Sequence, residues 1–189
     1  MKYPNSKKAY ISSRTSYSNR GMSLEEDINK TNEYYLTNNI AVVYKKPTPI
    51  QIVKVDYPKR SAAKITEAYF KLPSTTDYNG IYKGKYIDFE AKECHSKTSF
   101  PFSDIHTHQI KHLSAVLNQG AIAFIILRMS EYDEDYLIKA DEFISFYNSG
   151  ARKSITYAWI KEHGFIINRS YIKPCDYLSV VENVFDMKR

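Results

Sequence analysis

The sequence predicts a mixed α/β domain: a central sheet flanked by helices, with a basic excursion projecting from it. Three observations predict this. Residues 121–127 form an apolar run of strand length, as expected at the buried centre of a helix-covered sheet. Residues 74–92 alternate ring or aliphatic with polar side chains around Lys83-Gly84, the pattern of a β-hairpin. Helix-opening signals stand before and after that hairpin, at Ser23 and at Asp104.

The elements follow in order. Residues 1–20 hold Lys2, Lys7, Lys8, Arg14 and Arg20 and no acid, which reads as a flexible basic arm able to lie along phosphates, or as an ordinary disordered terminus. Ser23-Leu-Glu-Glu26 is a capping box that opens a helix to about Asn39, with Leu24, Ile28, Thr31 and Tyr35 as its buried stripe. Glu26 is the cap partner, and Glu25 sits at the edge of the stripe, where it could reach a site beside the core. Residues 40–44 are a strand, and residues 50–55 are a second extended run.

Residues 54–71 follow, with five basic residues, two acids and the interleaved rings of Tyr57, Tyr69 and Phe70. With no strong amphipathic period, this stretch reads as a projecting loop suited to phosphates and unstacked bases. An ordinary long surface loop is the alternative. After the hairpin, Asp104 is expected to cap a helix carrying Ile105, Ile110, Leu113 and Leu117, with Gln109 near its buried edge. His106, His108 and His112 lack the intervening Glu of a zinc motif and read as polar helix-face residues. Residues 136–138 are a short strand, Asp141 caps a helix through Tyr147, residues 150–154 are a basic loop, residues 165–167 are extended, and Asp176 caps a last helix carrying Leu178, Val181 and Val184.

Composition bounds the function. A chain of 189 residues accommodates one domain, residues 21–189, after the arm. The net charge of +6 and 17 tyrosines favour a polyanionic partner, most simply nucleic acid, over a generic basic protein. Cys94 and Cys175 match no metal or redox spacing and read as reduced thiols of a cytoplasmic protein. No apolar run approaches a membrane span and no apolar leader opens the chain, so a membrane partner is not expected.

The hairpin carries the chemistry. With Lys83 and Gly84 at the turn, Tyr82 faces Lys85 and Asp77 faces Glu90, and like charges opposed across strands destabilise the pairing. Thr75, Asp77, Glu90 and Lys92 share one face by parity, while Ile87, Phe89 and Ala91 turn to the core. Hydroxyl, carboxylates and ammonium on one patch suit a hard cation such as Mg²⁺ or Mn²⁺. A merely solvated strand face is the other reading that spacing alone leaves open. Asp88 falls on the same face with no role.

The order helix, strand, hairpin with Asp-x12-Glu-x-Lys resembles the PD-(D/E)xK nucleases. The strings Ser18-Asn-Arg-Gly-Met-Ser-Leu-Glu25, Lys45-Lys-Pro-Thr-Pro49, Tyr57-Pro-Lys-Arg-Ser-Ala62, Ser74-Thr-Thr-Asp-Tyr-Asn-Gly80 and Ile87-Asp-Phe-Glu-Ala-Lys92 resemble the RecU family of Holliday junction resolvases, over most of the chain and less closely from 130 to 174. That resemblance implies a restriction-endonuclease-like fold and a homodimer that nicks four-way DNA junctions symmetrically with Mg²⁺, Mn²⁺ substituting. It implies Thr75, Asp77, Glu90 and Gln109 at the metal, Lys92 as transition-state stabiliser and Glu25 as a helix-borne acid. The excursion at 54–71 matches the family's stalk. Arg20, Lys45, Lys59, Arg60, Lys64, Tyr69 and Phe70 are the expected DNA contacts, and a branch-migration helicase and a RecA-type recombinase are expected partners. The alternatives are a non-catalytic junction-binding or recombination-regulating module, and a nuclease for other DNA structures. In this sequence Thr76 precedes Asp77 where the motif name has Pro.

Overall fold

The computed structural model describes residues 23–71 and 75–187 and, at Arg60, the backbone alone; the expected arm at 1–20, with Arg20, lies outside the described residues. Helix α1 (Leu24–Thr37) opens on the expected capping box. Ser23 N donates to Glu26 Oε2 at 2.9 Å and Glu26 N donates to Ser23 Oγ at 3.3 Å. Leu24, Ile28, Thr31 and Tyr35 are buried. Asn39, at φ 53°, reverses the chain into β1 (Ala41–Lys45), which buries Ala41 and Val43 and exposes Val42 and Tyr44.

The excursion differs from the expected loop. Strands β2 (Ile50–Asp56) and β3 (Lys64–Phe70) pair antiparallel with each other alone, as a two-stranded ribbon separate from the main sheet. Its boundary is therefore Ile50 rather than Lys54, and the run at 50–55 belongs to it. Register shifts between Ile52 and Val55 break the alternation, and every residue of both strands is exposed except the half-buried Val55. With no covered face, the ribbon has no apolar period to read.

The hairpin of β4 (Tyr78–Tyr82) and β5 (Lys85–Cys94) has the expected register, from Tyr82 opposite Lys85 to Tyr78 opposite Phe89. Lys83 (φ 47°) and Gly84 (φ 75°) are both left-handed, as a two-residue I′ turn requires. Gly80 is needed for a different reason: a Cβ there would stand 2.1 Å from the Val42 carbonyl oxygen, across the β1–β4 pairing.

Strand β6 (Ser99–Pro101) leads through a 3₁₀ turn at Phe102–Asp104 to helix α2 (Thr107–Asn118). Asp104 is thus not the cap. The N-cap position is His106, whose N donates to Gln109 Oε1 at 2.8 Å. Helix α2 is the crossover from β5 to the parallel strand β7 (Ile122–Met129), which is buried along its whole length. Strand β8 (Glu134–Lys139) returns antiparallel to β7 and runs directly into α3 (Ala140–Asn148). Lys139 is the N-cap there, so Asp141 sits inside the first turn rather than at the cap. Strand β9 (Ser154–Thr156) pairs with β6; α4 (Tyr157–His163), β10 (Phe165–Ile166) and α5 (Tyr177–Val184) complete the order.

Among the described residues the sheet runs β1-β4-β5-β7-β8-β10, with β5–β7 as its one parallel pair. A core lies on each face. On one face α1 and α5 pack through Ile28, Tyr35, Tyr177 and Leu178 onto Ile87, Phe89, Phe124 and Ile126. Phe89 stacks on Tyr78 and Phe124 at 4.9 and 4.7 Å between ring centres. On the other face α2, α3 and α4 bring Leu113, Phe143 and Ile160 onto Ala123, Ile125, Leu127 and Ile138. Strand β5 therefore turns Ile87 and Phe89 into the first core, and Asp88 and Glu90 toward the side that α2 covers.

Candidate active site

Glu90, at the middle of β5, has no exposed surface. A bare buried carboxylate is costly, so its two oxygens must find donors. Oε1 accepts from Gln109 Nε2 of α2 at 2.5 Å and from Lys92 Nζ at 2.9 Å. Oε2 accepts from the Asp77 backbone N at 3.2 Å. The hairpin register delivers Asp77 directly before β4, parity delivers Lys92 two residues beyond Glu90, and the start of α2 delivers Gln109. Burial, and then the charge of Asp77, push the Glu90 carboxyl up to about 8 against the pull of Lys92.

Asp77, Lys92 and Gln109, gathered around the buried Glu90, line a cleft of about 360 Å³ whose wall also includes Thr75, His106 and His108. The His106 and His108 rings stack at 5.3 Å on that wall, and burial, then His106 and Lys92, lower the His108 pKa. Thr75 is half-buried beside Asp77. Lys45 also lines the cleft, and its ammonium pairs with Glu25 at 2.5 Å. Glu25 itself is exposed on α1 and meets Lys45, not Asp77 or Glu90, so the structure puts it on the rim.

The donor set fits a hard cation. Two carboxylates share the site, and burial together with its neighbour's charge raises the pKa of Glu90; a cation between them offsets that repulsion. Among the described residues no group of three or more His, Cys, Asp or Glu is placed to hold a metal. The further oxygens on the cleft wall are the Thr75 hydroxyl and Gln109 Oε1, which accepts from His106 N. Few carboxylates with neutral oxygens and room for water suit Mg²⁺.

The cleft lies at the foot of the ribbon, where Pro47, Thr48 and Pro49 lead from its wall into β2. On the ribbon, Lys59, Lys64, Tyr69 and Phe70 are exposed, Tyr69 by 61% and Phe70 by 83%. Aromatic rings that open to water among lysines make stacking surfaces for unpaired bases.

A family model described as Recombination protein U matches residues 19–183. The chain belongs to the RecU family. It is 55% identical over 196 aligned positions to "Holliday junction resolvase RecU" of Bacillus thuringiensis (strain Al Hakam), with 98% of each chain covered, and 55% identical to the protein of the same description from Bacillus anthracis (strain CDC 684 / NRRL 3495). The counterpart from Bacillus cereus (strain G9842) is 54% identical. Among solved structures the chain is similar to Hjc, a Holliday junction resolvase of Archaeoglobus fulgidus, at 9% identity and a TM-score of 0.43, covering 74% of this chain and 93% of that one.

In this RecU-family chain the structure gives partners to Asp88, which the sequence placed on the Glu90 face without a role. Asp88 is fully buried and gathers Lys46, Thr76, Tyr86 and His112 around its carboxylate. The signal was its parity with Glu90, together with Lys46 at the exit from β1.

Proposed function

We propose that this chain is a Holliday junction resolvase: a Mg²⁺-dependent endonuclease that works as a homodimer and makes paired, symmetric nicks in four-way DNA junctions during homologous recombination and DNA repair. The observation that carries the reading is the convergence of Asp77, Gln109 and Lys92 on the buried Glu90, in the wall of a cleft at the foot of a basic, aromatic ribbon. It occurs in a chain 55% identical, along 98% of its length, to proteins described as such resolvases.

Asp77 and Glu90 would hold Mg²⁺, with Thr75, Gln109 and the Ala91 carbonyl as further oxygen donors, and Mn²⁺ shares those preferences. When bound, the ion polarises the scissile phosphate and supplies a nucleophile at neutral pH. Gln109, fixed by its hydrogen bond from His106 N, holds the Glu90 carboxylate in its orientation. Lys92 keeps 22% of its side chain open to solvent and offsets the charge that builds on the phosphoryl oxygens. Lys45, Lys59, Arg60, Lys64 and Arg20 would meet phosphates, and Tyr69 and Phe70 would meet bases opened at the junction centre.

Support for the homodimer is an uncovered apolar row across the outer sheet. Val42 faces Ile81, which faces Tyr86, and all three are exposed. A two-fold enzyme places two such clefts on the symmetric strands of a junction. A branch-migration helicase, a RecA-type recombinase and a cytoplasmic location complete the reading; among the described residues no helix is long and apolar enough to cross a membrane.

The test is incubation with an end-labelled four-way junction, with and without Mg²⁺, against duplex and flap competitors. Paired nicks that need the ion and resist both competitors support the reading. A shifted but intact junction identifies a binder, and preferential cleavage of duplex or flap identifies a different nuclease.

A further inference from the structure

Asp88 is the most heavily partnered carboxylate near the cleft, yet it does not face it. It has no exposed surface. Oδ2 accepts from Lys46 Nζ at 2.9 Å and from Tyr86 OH at 2.8 Å, His112 Nε2 lies 3.2 Å away, and Thr76 Oγ1 donates to Oδ1. Lys46 Nζ also donates to Thr76 Oγ1 at 2.8 Å, so ammonium, hydroxyl and carboxylate close a three-membered ring of contacts.

The chain positions of those partners give the cluster its meaning. The ribbon joins the body through two legs, one leaving β1 and one returning to β4. Lys46 is on the outgoing leg and Thr76 is on the returning one. The legs are also tied by their backbones, Lys46 N to Asp77 O at 2.7 Å and Lys71 N to Pro49 O at 2.9 Å. Both legs therefore fasten to one buried group on β5, two residues from Glu90, and Asp77 directly follows the fastened Thr76.

We propose that Asp88 is a positioning residue that clamps both legs of the ribbon through Lys46 and Thr76, and thereby sets Asp77 against Glu90 and ties cation affinity to the seating of DNA on the ribbon. This rests on the reading of Asp77 and Glu90 as the cation site. Side chains that orient metal ligands from behind change metal affinity about 10–100-fold when removed. Coupling of this kind is reciprocal, so a junction on the ribbon tightens the cation by the factor by which the cation tightens the junction.

The experiment measures Mn²⁺ binding by the magnetic resonance signal of the free ion, with and without a non-cleavable four-way junction, and nicking as a function of Mg²⁺. Thr76→Val removes the hydroxyl at constant shape, Thr76→Ser retains it, and Asp88→Asn removes the charge. Expected are Mn²⁺ dissociation constants raised about 10-fold or more in Thr76→Val and Asp88→Asn, within about twofold of wild type in Thr76→Ser. The junction should tighten Mn²⁺ in wild type and in Thr76→Ser but no longer in Thr76→Val. Metal-free junction binding should stay within about threefold throughout, and lost nicking should return at high Mg²⁺. Asp77→Asn is the control for the site. If it loses Mn²⁺ while Thr76→Val and Asp88→Asn bind it as wild type does, the clamp is overturned and the cation site stands. If Asp77→Asn binds Mn²⁺ undiminished, the cation-site reading fails and the clamp falls with it. Should Asp88→Asn not fold, Thr76→Val against Thr76→Ser decides the matter alone.

Discussion

The backbone N–H of Asp77 donates to Glu90 Oε2 at 3.2 Å, so the two carboxylate-bearing residues are joined by a main-chain hydrogen bond rather than held apart by their charges. The hairpin thus brings two acids to one point while giving the buried one a donor. What it does not supply is enough positive charge for both, because Lys92 is the one ammonium paired with Glu90 among the described residues.

That imbalance predicts a pH dependence. Burial and Asp77 raise the Glu90 carboxyl from its ordinary 4.5 to about 8. A folded-state value above the unfolded one means that the folded chain holds the extra proton across this window. The contribution to stability is complete below about 4.5 and is lost as pH rises to about 8. In chelator, thermal denaturation should show stability falling across that range. Glu90→Gln should flatten the slope, and Mg²⁺ should restore stability at the alkaline end. A wild-type slope of the opposite sign contradicts the assignment.

Gln109 holds two partners at once, Glu90 through its Nε2 and His106 N through its Oε1. Gln109→Glu keeps an acceptor for the start of α2 but sets a third carboxylate against Glu90. The variant should lose about 1–3 kcal/mol without metal, as for a buried group deprived of its donor, and gain more from Mg²⁺ than wild type does. Chemical denaturation with and without the ion measures both quantities; equal gains in the two proteins contradict the geometry.

Gly80→Ala tests the sheet beneath the site. The new methyl would lie 2.1 Å from the Val42 carbonyl oxygen and 2.7 Å from Val43 Cα, so β1 must shift away from β4. We expect about 1–3 kcal/mol of destabilisation. Weaker junction binding should follow, because β1 carries Lys45 and leads to the ribbon. A variant as stable as wild type would show that the pairing tolerates a side chain there.

Phe70→Ala and Tyr69→Ala should each leave stability within about 0.5 kcal/mol, since both rings are exposed. Each should weaken junction binding by about 1–3 kcal/mol if it stacks on an opened base, and weaken duplex binding less. Equal losses on both substrates in a fluorescence titration would assign these rings to the ribbon's own structure instead.

The parts of this fold that were legible in the sequence are those where one side chain per position has one environment. Alternation around Lys83-Gly84 set the register that brings Asp77 to Glu90. The unbroken apolar run of β7 announced a strand covered on both faces, and Ser23 with Glu26 announced α1. The ribbon was not legible as strands, because its faces are all exposed and its register shifts near Lys54. Helix α2 starts at Thr107 instead of following Asp104, since a 3₁₀ turn consumes Asp104 and Gln109 takes over the capping. Strands β6 and β9 have three residues each, too few to show a period, and pair across a long chain separation. Helix α4 carried a readable signal in Thr156, whose hydroxyl accepts from Trp159 N.

At the site, parity placed Asp88 on the Glu90 face but could not say that it would be enclosed. Enclosure depends on Lys46 and His112 arriving from β1 and α2, which is tertiary information. Glu25, expected as a helix-borne acid, pairs with Lys45 of the cleft wall.

In the proposed reading Asp77 and Glu90 are the acids of a metal-dependent junction nuclease. Its most direct test is strand nicking of a labelled four-way junction in saturating Mg²⁺ by wild type, Asp77→Asn and Glu90→Gln, with binding to the same junction measured by gel shift. Expected are paired nicks from wild type, at least about 100-fold slower nicking in either variant, and binding retained in all three. Nicking at the wild-type rate by either variant would contradict it.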